Sequence, residues 1–175
     1  MIIHKYLVPG KATLLRDFVF AADDGMLTTF AVIAGSVGAS FSTSVIIALG
    51  LANVFADGFV IATGLYLGVK SELEVVKKSE GLRKSEGSPQ AHGLITYVSF
   101  VIFGLLPILP FFTSLTHKFI LSTGVVAVSL FLMGAIKTLY TRKNLVKSGL
   151  EVLLIGTIAA LVAFAVGYLA DFYLI

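Results

Sequence analysis

Three aspartates interrupt stretches of this sequence that are otherwise apolar enough to be buried in a membrane. Asp23 and Asp24 lie in FVFAADDGMLTTFAVIAG, residues 18–35, and Asp57 lies in the next apolar stretch, with no charged residue between Asp24 and Asp57. An ionised carboxylate in hydrocarbon is costly unless it is paired or binds a cation. The chemistry to explain is therefore what these carboxylates hold.

Helical spacing sorts the acids of the first stretch onto two faces. Asp17 and Asp24 are seven positions apart, which places them on one face of a helix, and Thr28 extends that face. Asp23 points about 100° away from Asp24 on the same helix. We expect Asp17 and Asp24 to act together.

A second polar face lies on the next apolar stretch. Asn53 and Asp57 share it with Gly50, Gly64 and Gly68. Small residues let helices approach closely, and polar residues bond across the interface. This face is predicted to meet another helix rather than lipid.

The depth of the two central acids follows from their distance to the nearest basic residue. Asp24 lies eight residues after Arg16, or about 12 Å along a helix, and Asp57 lies thirteen residues before Lys70, or about 20 Å. Both distances fall inside a hydrocarbon core of about 30 Å. They predict an offset of one to two helical turns between the acids.

Two interpretations of these acids remain open at this point. They form a pathway for a hard cation or for protons. Alternatively, they are protonated or bonded to Asn53, Thr28 or Thr29 and only fix helix packing. Three acids on two adjacent spans favour the pathway.

The composition is that of an integral membrane protein. Of the 175 residues, 57% are hydrophobic and only 13% are charged, against about 25% charged in soluble domains. The mean hydropathy is +0.98. The net charge of +3 gives no indication of a nucleic-acid partner, and the lack of cysteine excludes disulfides and thiolate metal sites.

The apolar stretches predict an all-α protein with five transmembrane helices in a single domain, residues 1–175. A charged segment separates the second span from the third and is predicted to be a cytoplasmic loop, at 70–92. Pro107 and Pro110 are expected to kink the third span. The predicted spans are 14–39, 44–69, 93–115, 119–137 and 149–170.

The basic residues predict the orientation. Twelve of the 13 Lys and Arg residues lie on one side of this arrangement, and only Lys118 lies on the other. Because cytoplasmic loops are enriched in Lys and Arg, the N-terminus is expected in the cytoplasm and the C-terminus outside.

The remaining polar residues give weaker signals. Glu72 and Glu74 are possible secondary cation sites at the inner mouth, and the scattered histidines, His92 among them, suggest no ligand cluster. The sequence has no phosphate-binding glycine loop, nucleophile–base arrangement or redox-cofactor motif. An enzyme is therefore not expected.

Several segments resemble the vacuolar iron transporter family, in order along nearly the whole chain. LLRDFVFAADDGMLTTFAVIAGSVGAS (14–40) is similar to the family's first span, with its Arg-Asp pair and Asp-Gly. LANVFADGFVIATGLYLGVKSELE (51–74) is similar to the second span, and FVIFGLLPILPF (100–111) and GLEVLLIGTIAALVAFAVG (149–167) to the third and fifth.

The resemblance implies a homodimer of five-span protomers in the lipid bilayer, with a pore between the protomers lined by first and second spans. It implies export of Fe²⁺, and sometimes Mn²⁺, from the cytosol in exchange for protons, with no cofactor. The residue pattern and the resemblance together give the expected metal ligands: Asp24, Asp57 with Asn53, and Asp17 at the cytoplasmic entrance. Asp23, Glu72 and Glu74 are secondary candidates.

Two features depart from the family. Ile61 stands where iron-transporting members usually carry Met, and Leu65 stands where they often carry Glu. Asp57 is one turn outward of Ile61, and a carboxylate in place of a thioether favours harder ions. Residues 70–92 are also too short for the metal-binding domain that many members insert there. The alternatives are a non-transporting membrane scaffold or accessory subunit, or a transporter of another cation.

Overall fold

The computed structural model describes residues 10–80, 88–141 and 144–174, with side chains described for 13–75, 88–138 and 144–173. Within these ranges every regular element is a helix, and there are no strands. A short 3₁₀ helix, Leu109–Phe112, follows the third α-helix. The α-helices are α1 Gly10–Gly38, α2 Thr43–Glu80, α3 Pro89–Leu105, α4 Lys118–Thr141 and α5 Leu145–Leu174.

Four of these helices are long and apolar enough to cross a membrane. Their apolar parts are Thr13–Gly38, Thr43–Val75, Lys118–Thr138 and Leu145–Tyr173, of 26, 33, 21 and 29 residues. The shorter α3, with 17 residues, is also apolar. Four of the five predicted spans are therefore confirmed as membrane-length helices.

The third predicted span is not one continuous helix. α3 begins at Pro89, a residue suited to the first helical turn, and ends at Leu105. Pro107 lacks an N–H donor and its ring clashes with the preceding turn, so the helix stops before it instead of kinking. Ser122 of α4 donates to the Pro107 carbonyl oxygen at 2.7 Å, which fixes the broken segment against its neighbour.

The second helix is longer than its predicted span. α2 continues to Glu80 instead of ending at residue 69, so the first part of the predicted loop 70–92 is helical. Its 38 residues extend about 57 Å, well beyond the hydrocarbon core. Residues 81–87, at the centre of that predicted loop, lie outside the described residues.

The first helix is the centre of the bundle. α1 packs against all four other helices, and α2 packs on α3 as α4 packs on α5. Half of its apolar segment is buried, whereas α5 is exposed along most of its length. The helix that carries Asp17, Asp23 and Asp24 is therefore also the one with the most neighbours.

Glycines allow α1 and α5 to cross with their backbones in contact. A Cβ atom at Gly167 of α5 would overlap the carbonyl oxygen of Gly35 on α1, and one at Gly38 would overlap that of Phe164. Only glycine fits such a crossing. Ser40 Oγ, just after α1, also donates to Asp171 Oδ2 at 3.3 Å, so α1 and α5 end at the same end of the bundle.

Candidate cation site between α1 and α2

Asp24 and Asp57 lie at one level of the bundle. Each precedes a glycine that packs on Phe100 of α3. A Cβ at Gly25 would lie 2.5 Å from the Phe100 carbonyl oxygen, and one at Gly58 would lie 3.0 Å from Phe100 Cδ1. The two carboxylates consequently interact electrostatically across α1 and α2.

The predicted offset of one to two turns between these acids is therefore wrong. The prediction took Lys70 as the edge of the membrane on α2, but α2 continues helical well beyond it. A basic side chain within a long helix gives no fixed depth, because it reaches toward water along its own length.

Asn53 ties α2 to α1 beyond these acids. Its Nδ2 donates to Thr29 Oγ1 at 3.2 Å and lies 3.5 Å from Thr28 Oγ1. The Thr28 hydroxyl in turn donates to the carbonyl oxygen of Asp24 at 2.9 Å. The Asn53 amide therefore holds the two helices together near Asp24. Asn53 was also predicted to be a metal ligand.

Towards the start of α1 the two helices separate and leave a groove of about 500 Å³. We call it the α1–α2 groove. Its lining comes from α1, α2 and one residue of α3: Arg16, Asp17, Phe20, Ile61, Gly64, Leu65, Gly68, Val69, Glu72 and Thr96.

The glycines of the predicted polar face of α2 have different surroundings within the bundle and at this groove. Gly50 is packed inside the protomer, where a Cβ would lie 3.1 Å from Ile108 Cδ1. A Cβ at Gly64 or Gly68 would meet nothing within 4 Å. Half of this face therefore packs within the chain, and the other half is open.

Asp17 lies at the groove but is already paired. Its side chain is buried, and its Oδ1 accepts hydrogen bonds from Arg16 Nε at 3.1 Å and Nη2 at 2.9 Å. Its Oδ2 is bonded to Nδ1 of the buried His92 on α3. The carboxylate predicted at the pathway entrance thus also links α1 to α3.

Besides Thr96 in the groove lining, the sequence interpretation missed the role of His92. It lies 75 positions from Asp17, so no helical periodicity connects the two. His92 lies near the start of the third apolar stretch, and Asp17 lies near the start of the first. Because these two spans were predicted to run in the same direction, their similar positions were the available signal. The pairing only becomes evident once α1 and α3 are packed side by side.

Asp23 is separate from the groove, as its 100° offset predicted. It interacts electrostatically with Lys137 of α4 and with Asp24. Its Oδ1 is buried and makes no hydrogen bond within the described residues. Asp23 therefore does not join Asp17 at the groove, although both belong to α1.

The secondary acids are divided in the same way. Glu72 lines the groove, whereas Glu74, also exposed, does not. Ile61 and Leu65 line it as well, so the positions that carry Met and often Glu in the family present apolar side chains here.

One chain supplies few ligands. Among the described side chains, no three His, Asp or Glu residues are grouped closely enough to hold a metal ion. Asp24 and Asp57 are only two ligands, while a hard divalent cation takes about six or more oxygen ligands. The pair can attract a cation, but it can bind one fully only with water or another chain.

This chain is similar to known proteins over most of its length. The family model described as "VIT family" matches residues 15–86 and 74–168. A vacuolar iron transporter from Centaurea cyanus is 26% identical over 208 residues, covering 86% of this chain and 85% of the relative. Vacuolar iron transporter 1 from Oryza sativa is 26% identical over 209 residues, covering 86% and 83%.

The relatives differ in how many aligned positions have no counterpart in this chain. For the Centaurea relative, 86% of this chain is about 150 residues, so about 58 of the 208 aligned positions have no counterpart here. An uncharacterized protein from Methanocaldococcus jannaschii is 28% identical over 173 residues, covering 90% of this chain and 88% of the relative. In that alignment only about 15 positions have no counterpart in this chain. The two matched segments meet at 74–86, which indicates that the additional residues fall there.

Proposed function

Because this chain belongs to the VIT family, we propose that it is a proton-coupled transporter that exports divalent cations of the Fe²⁺ or Mn²⁺ type from the cytosol. It is an integral, multi-pass membrane protein. The observation that carries the proposal is the pairing of Asp24 and Asp57 at one level between two membrane-length helices. Two carboxylates at one level of an apolar bundle favour a bound divalent cation.

The orientation proposed from the sequence has the N-terminus in the cytoplasm. Arg16, Lys70 and Lys137 lie towards the end of the bundle where α1 begins, and Lys118 lies at the opposite end. Under the positive-inside rule the α1–α2 groove then opens to the cytosol. We count α3 together with the 3₁₀ segment that follows it as the third predicted span, which brings the proposed number of spans to five.

The working unit is proposed to be a homodimer. The groove exposes Phe20 to 60%, and the open sides of Gly64 and Gly68 offer room for another helix. A second copy against this face would bring its own Asp24 and Asp57 to the site. Four carboxylates and water then give the oxygen ligands that one chain lacks.

Coupling to protons follows from the ligand type. A carboxylate must be deprotonated to bind a metal, so binding releases protons and protonation releases the metal. Asp24 and Asp57 would take up protons from the outer side and discharge the cation there. The ions and protons then use the same two side chains in alternation.

A flux assay tests the proposal. Purified protein in proteoliposomes, given a proton gradient, is assayed with Fe²⁺, Mn²⁺, Co²⁺ and Zn²⁺, and liposomes with the double variant Asp24→Asn/Asp57→Asn are the control. We expect gradient-dependent flux of at least one ion in the wild type only. Equal flux in both preparations would contradict the proposal.

A non-transporting scaffold, or a transporter of another cation, is the second candidate. It is favoured by the apolar Ile61 and Leu65 in the groove and by the absence of a three-ligand cluster among the described side chains. Thermal unfolding with and without divalent metal separates these functions. A scaffold would show no metal-dependent rise in Tm.

A further inference from the structure

Thr96 of α3 is a fully buried residue whose hydroxyl has no partner. It is 0% exposed, and its Oγ1 makes no hydrogen bond within the described part of the chain. Thr96 lines the α1–α2 groove and is the one α3 residue that does so. A buried hydroxyl without a partner destabilises a protein unless an ordered water or a ligand bonds to it.

Other hydroxyls of these helices show how Thr96 would be satisfied if it only packed. Ser99, one turn further along α3, donates to the Ile95 carbonyl oxygen at 2.6 Å. Thr123 and Thr157 bond their own helices in the same way, at 2.8 Å each. This local bond is the usual solution for Ser and Thr in a helix, and Thr96 does not use it.

The level of Thr96 places it between the groove mouth and the paired acids. Gly93, one turn before it, packs on Ala62 and Tyr66, and Phe100, one turn after it, packs beside Gly25 and Gly58. A cation moving from the mouth toward Asp24 and Asp57 would pass Thr96. The residue therefore lies on the path that the proposed function requires.

The charges around the groove favour a cation at this point. Arg16 is paired with Asp17, which leaves the carboxylate of Glu72 as the excess charge among the lining residues. Hard divalent cations prefer oxygen ligands, including neutral ones. Ile61 and Leu65, on the α2 side of the same groove, offer none.

We propose that the Thr96 hydroxyl is a cation ligand within the α1–α2 groove, supplying from α3 an oxygen that α2 does not provide at Ile61 and Leu65. This proposal rests on the proposed transport function and assigns to it a residue that helps to select the transported ion. The hydroxyl oxygen binds a divalent cation on its way to Asp24 and Asp57.

The test uses two variants at this position and one control on the same helix. Thr96→Val removes the hydroxyl and preserves the shape, while Thr96→Ser preserves the hydroxyl. Ser99→Ala removes a buried hydroxyl that is already bonded within α3. Proton-driven Mn²⁺ flux in proteoliposomes is measured for each, together with Tm in the absence of metal.

For Thr96→Val we expect the KM for Mn²⁺ to rise about tenfold, the size of effect seen when a group supporting a metal site is removed. Its metal-free Tm should stay equal or increase, because an unpartnered polar atom is lost. Thr96→Ser should restore the wild-type KM, and Ser99→Ala should not change it.

Wild-type KM in Thr96→Val, with wild-type protein transporting normally, would overturn the ligand role and leave the transport function standing. If wild-type protein transports no ion at all, the proposed function itself has failed. Should Thr96→Val unfold, a raised KM in Thr96→Ala with a retained Tm supports the ligand role, and an unchanged KM there refutes it.

Discussion

Asp24 of α1 and Asp57 of α2 lie at the same level because each is followed by a glycine that packs on Phe100 of α3. One aromatic residue thus sets the relative height of two helices. The repeated Asp-Gly dipeptide is the sequence feature behind this relationship, since a larger residue after either aspartate would push its helix away from α3.

The first prediction is that Asp24→Asn abolishes metal transport and leaves the fold intact. The amide has nearly the shape of the carboxylate but not the charge that a cation needs. Flux in proteoliposomes and Tm check the two halves. Asp171→Asn removes the same charge from a half-buried aspartate that accepts a hydrogen bond from Ser40. It is the control and should transport normally. Normal flux in Asp24→Asn would make Asp24 a packing residue.

The second prediction concerns Asp57→Asn, which should weaken binding of every divalent ion. It removes one of the two interacting carboxylates on which the proposed site depends. Calorimetric metal titration beside proton-driven flux measures the effect. If binding is preserved while flux driven by pH is lost, Asp57 carries the coupling proton instead of binding the metal.

The third prediction is that Ile61→Met increases handling of Fe²⁺ and Co²⁺ relative to Mn²⁺. Thioethers bind softer ions better, and Ile61 lines the groove. The change nearly conserves volume, so it should cost less than about 1.5 kcal/mol of stability. Competition flux assays give the ion ratio, and an unchanged ratio would remove Ile61 from the selection of the ion.

The fourth prediction is that Gly25→Ala destabilises the protein by about 1–3 kcal/mol, the cost typical of overpacking. Its Cβ would lie 2.5 Å from the Phe100 carbonyl oxygen, and backbone atoms cannot yield as a flexible side chain can. Gly124→Ala on α4 is the matched control, because nothing lies within 4 Å of its Cβ. Alanine favours helix over glycine, so Gly124→Ala should be neutral or stabilising in thermal unfolding.

The fifth prediction tests the homodimer. The chain has no cysteine, so single cysteines at Phe20 or Gly64, both exposed at the groove, report on contact between copies. Under oxidation we expect crosslinked dimers from both. Gly124→Cys, exposed on α4, should remain monomeric on a denaturing gel. The reverse pattern would place the dimer interface on the other face of the bundle.

The helices themselves were largely predictable because apolar length is a direct requirement of the bilayer. The first, second, fourth and fifth spans are confirmed as long helices. The separation of Asp23 from Asp24 was predictable too, since helical geometry fixes the angle between adjacent residues. These features depend on local sequence alone.

Features that depend on packing between helices were not predictable in the same way. The level of Asp57 relative to Asp24 is set by contacts with Phe100, which no spacing within α1 or α2 reveals. The bond between Asp17 and His92 joins two helices with no periodic relation. The end of α3 at Leu105 depends on Pro107. The sequence predicted that Pro107 would disturb the helix, but not that the helix would break instead of kinking.

The bond between Asp17 and His92 has a consequence for how the protein is made. Ribosomes add about 5–20 residues per second, so His92, 75 positions later, follows Asp17 by roughly 4–15 s. During that interval Arg16, the neighbouring residue, is the partner of Asp17 that has already been synthesised. The first helix therefore enters the bilayer with Arg16 as a partner for Asp17 on the same helix. The bond between Asp17 and His92 forms only after the third helix has been made.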